Sequence, residues 1–129
     1  MHFLNRIKQM LIGTGNLEVP GMTELCEITE LEAALAQHDQ LILFKHSTTC
    51  PISASALSRI QPLLGSTDDL PPIYLVKVIQ SRPLSNHIAS AFNVLHQSPQ
   101  ALLIQNGTCA WNASHGAITA DAITQALIA

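Results

Sequence analysis

The sequence is poor in charged and in aromatic side chains, and both shortages narrow the range of functions. Its 129 residues contain six Lys and Arg against nine Asp and Glu, a formal net charge of −3. Aromatic residues make up only 4% of the chain. A surface that binds nucleic acid needs clustered cations and gains from aromatic rings that stack on bases. We therefore expect no nucleic-acid partner.

Long apolar runs are also missing. No stretch approaches the ~18 consecutive apolar residues of a membrane-spanning helix, so we expect no membrane span. The N-terminus carries basic residues before an apolar patch, but the patch is shorter than the ~7–15 residues of a signal-peptide core, and no small-residue cleavage site follows. We expect residues 1–20 to be an extension, with a short amphipathic helix, and residues 21–129 to form one domain.

The chain has too few cysteines, and in the wrong number, for a disulfide framework. The three cysteines are Cys26, Cys50 and Cys109, and an odd number cannot pair completely within one chain. Their separations of 24 and 59 residues (50 − 26 and 109 − 50) match no zinc-ligand pair, so we predict no metal site. Reduced thiols in the cytoplasm are the simplest interpretation.

One of these cysteines stands where a strand meets a helix. In residues 41–53 an apolar strand runs through a short polar loop into a helix with Pro51 in its first turn. Cys50 then takes the N-cap position, where unpaired N–H groups and the helix dipole favour a thiolate. The pattern predicts a nucleophilic thiol, and the alternative is an inert buried cysteine at a helix start.

The remaining pattern alternates strands and helices in the order β-α-β-α-β-α-β-β-α. Right-handed crossovers would make the first three strands parallel, and a terminal hairpin would add two antiparallel strands. This order resembles an α/β thioredoxin-like domain, whose mixed five-stranded sheet has the order 1-3-2-4-5 and is flanked by helices. The predicted segments are strands at 23–28, 41–46, 73–79, 101–105 and 108–111, and helices from a Thr29–Glu32 capping box, from Pro51, from about Pro83 and from Thr119.

In such a fold the other two thiols lie away from Cys50. We expect Cys26 to be a core residue of the first strand, roughly 10 Å from the Cys50 column. Cys109 follows the Asn106-Gly107 turn at the opposite end of the sheet, on the order of 20 Å away. Bridged cysteines need Cα atoms within ~7 Å. Neither thiol can therefore form a disulfide with Cys50 unless the fold rearranges.

Dithiol oxidoreductases carry their second cysteine three residues after the first, and here that residue is Ser53. The chain is therefore predicted to be monothiol. A single thiolate can attack a mixed disulfide, hold the captured small thiol and release it to a second small thiol. Ser53 can hydrogen-bond the thiolate but cannot resolve a disulfide.

Other candidate site residues follow from the thioredoxin-like order. Pro99 precedes the fourth strand, where thioredoxin-like proteins carry a cis-proline facing the reactive cysteine; the alternative is a trans-proline that ends a helix. The backbone of Ser98 would then pair with a substrate like a strand. His46 and His115 are each predicted near Cys50, with either a structural or a proton-handling role. A metal site of Cys50, His46 and His96 is conceivable, but no spacing singles it out.

Several segments resemble the YtxJ-like monothiol bacilliredoxins of the bacillithiol system, a branch of the thioredoxin-like superfamily. The resemblance spans residues about 23–128 and rests on His46-Ser47-Thr48-Thr49-Cys50-Pro51-Ile52-Ser53, on Ser81-Arg82-Pro83-Leu84-Ser85-Asn86, on His96-Gln97-Ser98-Pro99-Gln100, and on Trp111 with Ala113-Ser114-His115.

The resemblance implies a thiol-disulfide oxidoreductase that removes bacillithiol from proteins modified under oxidative stress. Cys50 would be the nucleophile, with Pro51 and Ser53 completing the catalytic motif, and cis-Pro99, Thr49, Ser98 and His115 would contact the substrate. We expect no tightly bound cofactor, bacillithiol or a similar thiol such as glutathione as co-substrate, and proteins carrying mixed disulfides as partners. The alternative function is a thioredoxin-like stress-response module that binds partners or senses oxidation without turnover.

Overall fold

The structure is a computed structural model that describes residues 19–64 and 69–129. The helix predicted within residues 1–20 lies outside the described residues, except for the last two positions of that range. Across the described ranges, no helix is both long and apolar enough to cross a bilayer.

Five strands of the described chain form one mixed sheet. They are β1 (Met22–Glu24), β2 (Gln40–His46), β3 (Ile73–Lys77), β4 (Gln100–Gln105) and β5 (Thr108–Ser114). The sheet order is β1-β3-β2-β4-β5, with β3 parallel to both β1 and β2. β4 runs antiparallel to β2 and to β5. The predicted thioredoxin-like topology is confirmed.

Helices cover both faces of this sheet. In the described ranges these are α1 (Ile28–Gln37), α2 (Pro51–Ile60), α3 (Arg82–Ala91) and α4 (Ala120–Ile128). One core cluster joins the sheet to α1 and α3, and the other joins it to α2 and α4. β2 is central and buried from Leu41 to His46, with alternate side chains entering the two clusters. This alternation directs Lys45 to the α1/α3 face and His46 to the α2/α4 face.

The predicted starts of α2 and α4 and the predicted turn between β4 and β5 are confirmed. Cys50 is the N-cap of α2 and Pro51 is its first residue. The side chain of Thr119 caps α4 by accepting a hydrogen bond from the N–H of Ala122 at 3.0 Å. Asn106 and Gly107 have φ values of 52° and 80°, which suits the type I′ turn expected between β4 and β5.

The start of α1 was predicted wrongly. The N-cap is Glu27 rather than Thr29, and the residue at the third helical position is Glu30 rather than Glu32. The Glu30 carboxylate accepts hydrogen bonds from the N–H groups of Glu27 at 2.9 Å and Cys26 at 3.0 Å. The earlier start shortens β1, which ends at Glu24, so Cys26 is exposed in a loop instead of buried in a strand.

Candidate active site

Cys50 lies at the junction of the loop after β2 with helix α2. Its N–H donates to the carbonyl of Ser47 at 3.2 Å, and its carbonyl accepts from the N–H of Ala54 at 3.1 Å. The side chain is half-buried and the thiol is free. The backbone is therefore fixed on both sides of a thiol that a partner can reach, beside the unpaired N–H groups of a helix start.

Ser53 is completely buried and connects the helix to the strand and loop before it. Its Oγ lies 2.6 Å from Nδ1 of His46 and accepts a hydrogen bond from the N–H of Ser47 at 3.0 Å. If His46 carries its proton on Nε2, the Ser53 hydroxyl donates to His46. If the proton is on Nδ1, the hydroxyl accepts twice and its own proton is free for the Cys50 thiolate. The predicted bond from Ser53 to the thiolate thus requires one particular tautomer of His46.

His46 is buried and lies next to a buried cation. It pairs with Lys77 in the register of β2 and β3, and Nζ of Lys77 forms an ion pair with Oε1 of Glu24 at 3.3 Å. Burial and, to a smaller extent, the charge of Lys77 lower the pKa of His46. His46 is therefore neutral at pH 7 and acts as a hydrogen-bond partner of Ser53 rather than as a cation beside the thiol.

The peptide bond between Ser98 and Pro99 is cis, as the thioredoxin-like order predicts. Pro99 comes directly before β4, and its carbonyl accepts a hydrogen bond from the N–H of His115 at 3.1 Å. Among the described residues, the buried Oγ of Ser98 has no hydrogen-bond partner. Substrate binding by Ser98 and Pro99 stays a prediction.

The chain after β5 returns to this end of the sheet, as predicted. Ser114 pairs with Gln100 across β4 and β5, and His115 begins a short 3₁₀ turn that ends at Ala117. Arg59 of α2 donates hydrogen bonds to the carbonyls of His115 at 2.8 Å and Ile118 at 2.9 Å. The turn is thereby fastened to both the cis-proline and the helix that begins after Cys50, with the His115 side chain exposed.

The other thiols are held in their protonated form. Cys109 pairs with Ile104 at the hairpin end of the sheet, opposite the pair of Gln100 and Ser114. Burial raises the pKa of Cys109. Partial burial of the Cys26 thiol, followed by the negative charge of Glu24, raises the pKa of Cys26 to about 11. Since the thiolate is the nucleophile, a raised pKa makes both of these cysteines weak nucleophiles.

Two polar contacts near the site were missed by sequence reasoning. Nζ of the fully buried Lys45 lies 3.1 Å from Nδ1 of His96, in the loop before Pro99. The side chain of Gln80 donates to Oγ1 of Thr48 at 3.2 Å, while the neighbouring Thr49 is exposed. A lysine inside an otherwise apolar strand is the one sequence signal that could have revealed the first contact.

The conceivable metal site of Cys50, His46 and His96 is not assembled. His46 bonds to Ser53 on the α2/α4 face of the sheet, whereas His96 bonds to Lys45 from the other face. In residues 19–64 and 69–129 no three His, Cys, Asp or Glu side chains are grouped in a way that could hold a metal ion.

Comparisons with known proteins support the thioredoxin-like fold and a thiol redox function. The family model described as monothiol bacilliredoxin BrxC matches residues 23–123. A solved thioredoxin-fold protein described as a candidate oxidoreductase is 38% identical, with a TM-score of 0.75 over 82% of this chain and 93% of that one.

Two thioredoxins share the fold at much lower identity. Oxidised mitochondrial thioredoxin 3 from Saccharomyces cerevisiae is 16% identical, with a TM-score of 0.66 over 81% of this chain and 91% of that one. A mutant thioredoxin from Halobacterium salinarum is 18% identical, with a TM-score of 0.64 over 85% and 91% of the two chains. Since the family match spans the sheet, Cys50 and the cis-proline loop, this chain belongs to the monothiol bacilliredoxin BrxC family of thiol redox proteins.

Proposed function

We propose that the chain is a cytoplasmic monothiol oxidoreductase of the YtxJ-like kind that removes bacillithiol, or a similar low-molecular-weight thiol, from protein mixed disulfides. The observation that carries the proposal is the pairing of a reachable Cys50 at the N-cap of α2 with a buried Ser53 in place of a second thiol. A single thiol at a helix start can exchange with a small thiol but cannot close an internal disulfide.

The reaction takes place in two exchanges. The Cys50 thiolate attacks the sulfur of the small thiol in the mixed disulfide, a new Cys50–small-thiol disulfide forms, and the substrate protein leaves as a thiolate that takes up a proton. A second small-molecule thiolate then attacks the captured sulfur. Cys50 leaves as a thiolate, and the two small thiols leave together as a disulfide, so the second thiol is the reductant.

The surroundings of Cys50 support recognition of an extended protein substrate. Ser98 and cis-Pro99 come directly before β4, and the exposed Thr49 comes directly before Cys50. His115 joins them through its hydrogen bond to Pro99. We propose that the backbone of Ser98 pairs with the substrate, while Thr49 and His115 contact its side chains or the small thiol.

Turnover by cysteine variants tests the proposal. A substrate protein carrying one bacillithiol would be incubated with the full chain and excess bacillithiol, and free substrate thiol would be followed over time. The Cys50→Ser variant should be inactive, whereas the matched Cys26→Ser and Cys109→Ser variants should keep the wild-type rate. Formation of a stable Cys50 adduct without release of the small thiol would instead indicate a sensing module.

A further inference from the structure

Arg59 joins the helix that carries Cys50 to the turn after β5. It is the next-to-last residue of α2. Its Nε donates to the carbonyl of Ile118 at 2.9 Å, and its Nη2 donates to the carbonyl of His115 at 2.8 Å. Ile118 is completely buried in the core cluster that also contains residues of α2 and α4. Because a guanidinium is planar and rigid, its two bonds fix both the distance and the angle between the helix and the turn.

His115 has an uncommon backbone conformation for a residue with a side chain. Its φ of 53° lies in the left-handed region, where the Cβ atom crowds the following carbonyl. Two other non-glycine residues of the described chain have a positive φ, and both are asparagines, Asn93 and Asn106. Asparagine enters this region because its short polar side chain can bond locally, and glycine does so without steric cost. A histidine stays in this conformation only where its surroundings hold it there.

Three hydrogen bonds hold the backbone of His115. Its N–H donates to the carbonyl of Pro99 at 3.1 Å, and its carbonyl accepts from the N–H of Ile118 at 3.2 Å and from Arg59. Two of these donors and acceptors belong to the backbone, whereas Arg59 supplies a charged side-chain donor, which is the stronger kind. Arg59 is therefore the side chain on which the conformation of His115 depends.

The turn exposes the imidazole of His115 beside the cis-proline. The side chain is exposed, and the ring makes no hydrogen bond to any residue that the structure describes. The next residue, Gly116, is exposed as well, and a Cβ atom added there would meet no described atom within 4 Å. Neither burial nor an internal bond of the ring offsets the cost of the left-handed backbone. Such a cost is typical of residues that contact a ligand.

We propose that Arg59 is a positioning residue for protein substrates: it holds His115 in the left-handed conformation, so that the imidazole contacts the protein mixed disulfide. The inference rests on the proposed function and assigns Arg59 to the first exchange, in which Cys50 captures the small thiol. In the second exchange a free small thiol attacks the Cys50 adduct, and no protein substrate has to be held. Loss of Arg59 should therefore weaken capture and leave release unchanged.

Single-turnover capture tests this assignment. Reduced full chain would be mixed with increasing amounts of a protein that carries one bacillithiol, and formation of the Cys50 adduct would be timed by mass spectrometry. In Arg59→Gln the half-saturating substrate concentration should rise about tenfold, while the limiting rate should stay within about twofold of wild type. His115→Ala should show the same rise. The double variant should be little worse than either single one, because both remove the same contact.

Release is measured separately on the isolated Cys50–bacillithiol adduct. Excess free bacillithiol should reduce the adduct of Arg59→Gln at the wild-type rate. Unchanged capture in this variant, or an equal slowing of capture and release, would overturn the assignment while leaving thiol exchange intact. Absence of any Cys50 adduct in the wild-type chain would contradict the proposed function instead.

Three further variants separate positioning from stability. Glu30→Ala weakens the start of α1 and should lower the unfolding temperature without changing the half-saturating concentration. Arg59→Lys keeps the charge but not the two-pronged geometry, so it should recover only part of the capture efficiency. His115→Gly relieves the left-handed backbone, so its stability should not fall, yet its capture should be as weak as that of His115→Ala. Normal capture by His115→Gly, or weakened capture by Glu30→Ala, would contradict the proposed role of the imidazole.

Discussion

Ser53 is fully buried three residues after Cys50, and its hydroxyl bonds to both the strand and the loop before the helix. The sequence alone shows that this position lacks a thiol, which is enough to predict a monothiol protein. It could not show the bond to His46, because that contact joins two elements whose packing is settled only in the folded chain. The residue thus has a structural role, because it ties the helix to the strand and loop before it.

Replacing Ser53 by alanine should therefore lower stability. Ser53→Ala leaves the N–H of Ser47 and Nδ1 of His46 without their common partner, which should reduce the free energy of unfolding by about 1–3 kcal/mol. Urea denaturation would measure the loss. Ser58→Ala changes an exposed serine of the same helix and should stay within about 0.5 kcal/mol of wild type. An equal effect of the two substitutions would contradict the role of Ser53.

The burial of Lys45 makes the stability of the folded chain depend on pH. Burial lowers its pKa to about 8. The unfolded chain therefore binds more protons than the folded one between about pH 8 and the usual lysine range, and this residue's contribution to stability rises with pH there. Below about pH 8 Lys45 is protonated in both the folded and the unfolded chain, so the burial of its charge lowers stability by the full amount there. Lys45→Met should accordingly stabilise the fold at pH 7, by on the order of 2 kcal/mol, and the gain should shrink above pH 8.

The matched variant is Lys77→Met, which removes a buried lysine that has a partner in Glu24. It should give no such gain, because it removes an existing ion pair. Stability of the wild type and both variants would be measured by urea denaturation from pH 7 to 10. A gain for Lys45→Met that does not change with pH would show that its burial does not govern the effect.

At the level of elements, the helices are easier to predict than their first residues. Apolar spacing and Pro51 place α2 correctly, since a proline in the first turn has few alternatives. For α1, two pairs of residues three apart compete as a capping box, Glu27 with Glu30 and Thr29 with Glu32. Local pattern favours the threonine, whereas the observed choice also satisfies the N–H of Cys26 after β1 ends.

Stability measurements can separate the two caps. Glu30→Ala leaves the N–H groups of Cys26 and Glu27 without their side-chain acceptor and should cost about 1 kcal/mol. Thr29→Ala removes an exposed side chain inside the first turn and should cost little. Thermal unfolding of both variants gives the comparison. A larger loss of stability for Thr29→Ala than for Glu30→Ala would instead support Thr29 as the N-cap, as predicted from the sequence.

At the level of the whole molecule, the topology could be predicted because β2 is apolar on both faces and the crossovers have one favoured hand. The same burial concealed a polar contact. Lys45 and His96 stand 51 residues apart in sequence, and only the packing of the cis-proline loop against β2 brings them together. Secondary structure is periodic in the sequence, whereas contacts between separate elements leave no local pattern, so this contact could be found only in the three-dimensional structure.

The central claim is that one thiol of this chain captures a small thiol from a protein. Its most direct test is the mass of the full chain, and of its peptides, after reaction of the reduced protein with a bacillithiol-modified substrate. We predict one bacillithiol per chain, attached to Cys50, with Cys26 and Cys109 still free. Labelling confined to Cys26 or Cys109, or loss of two hydrogens to an internal disulfide, would contradict the account.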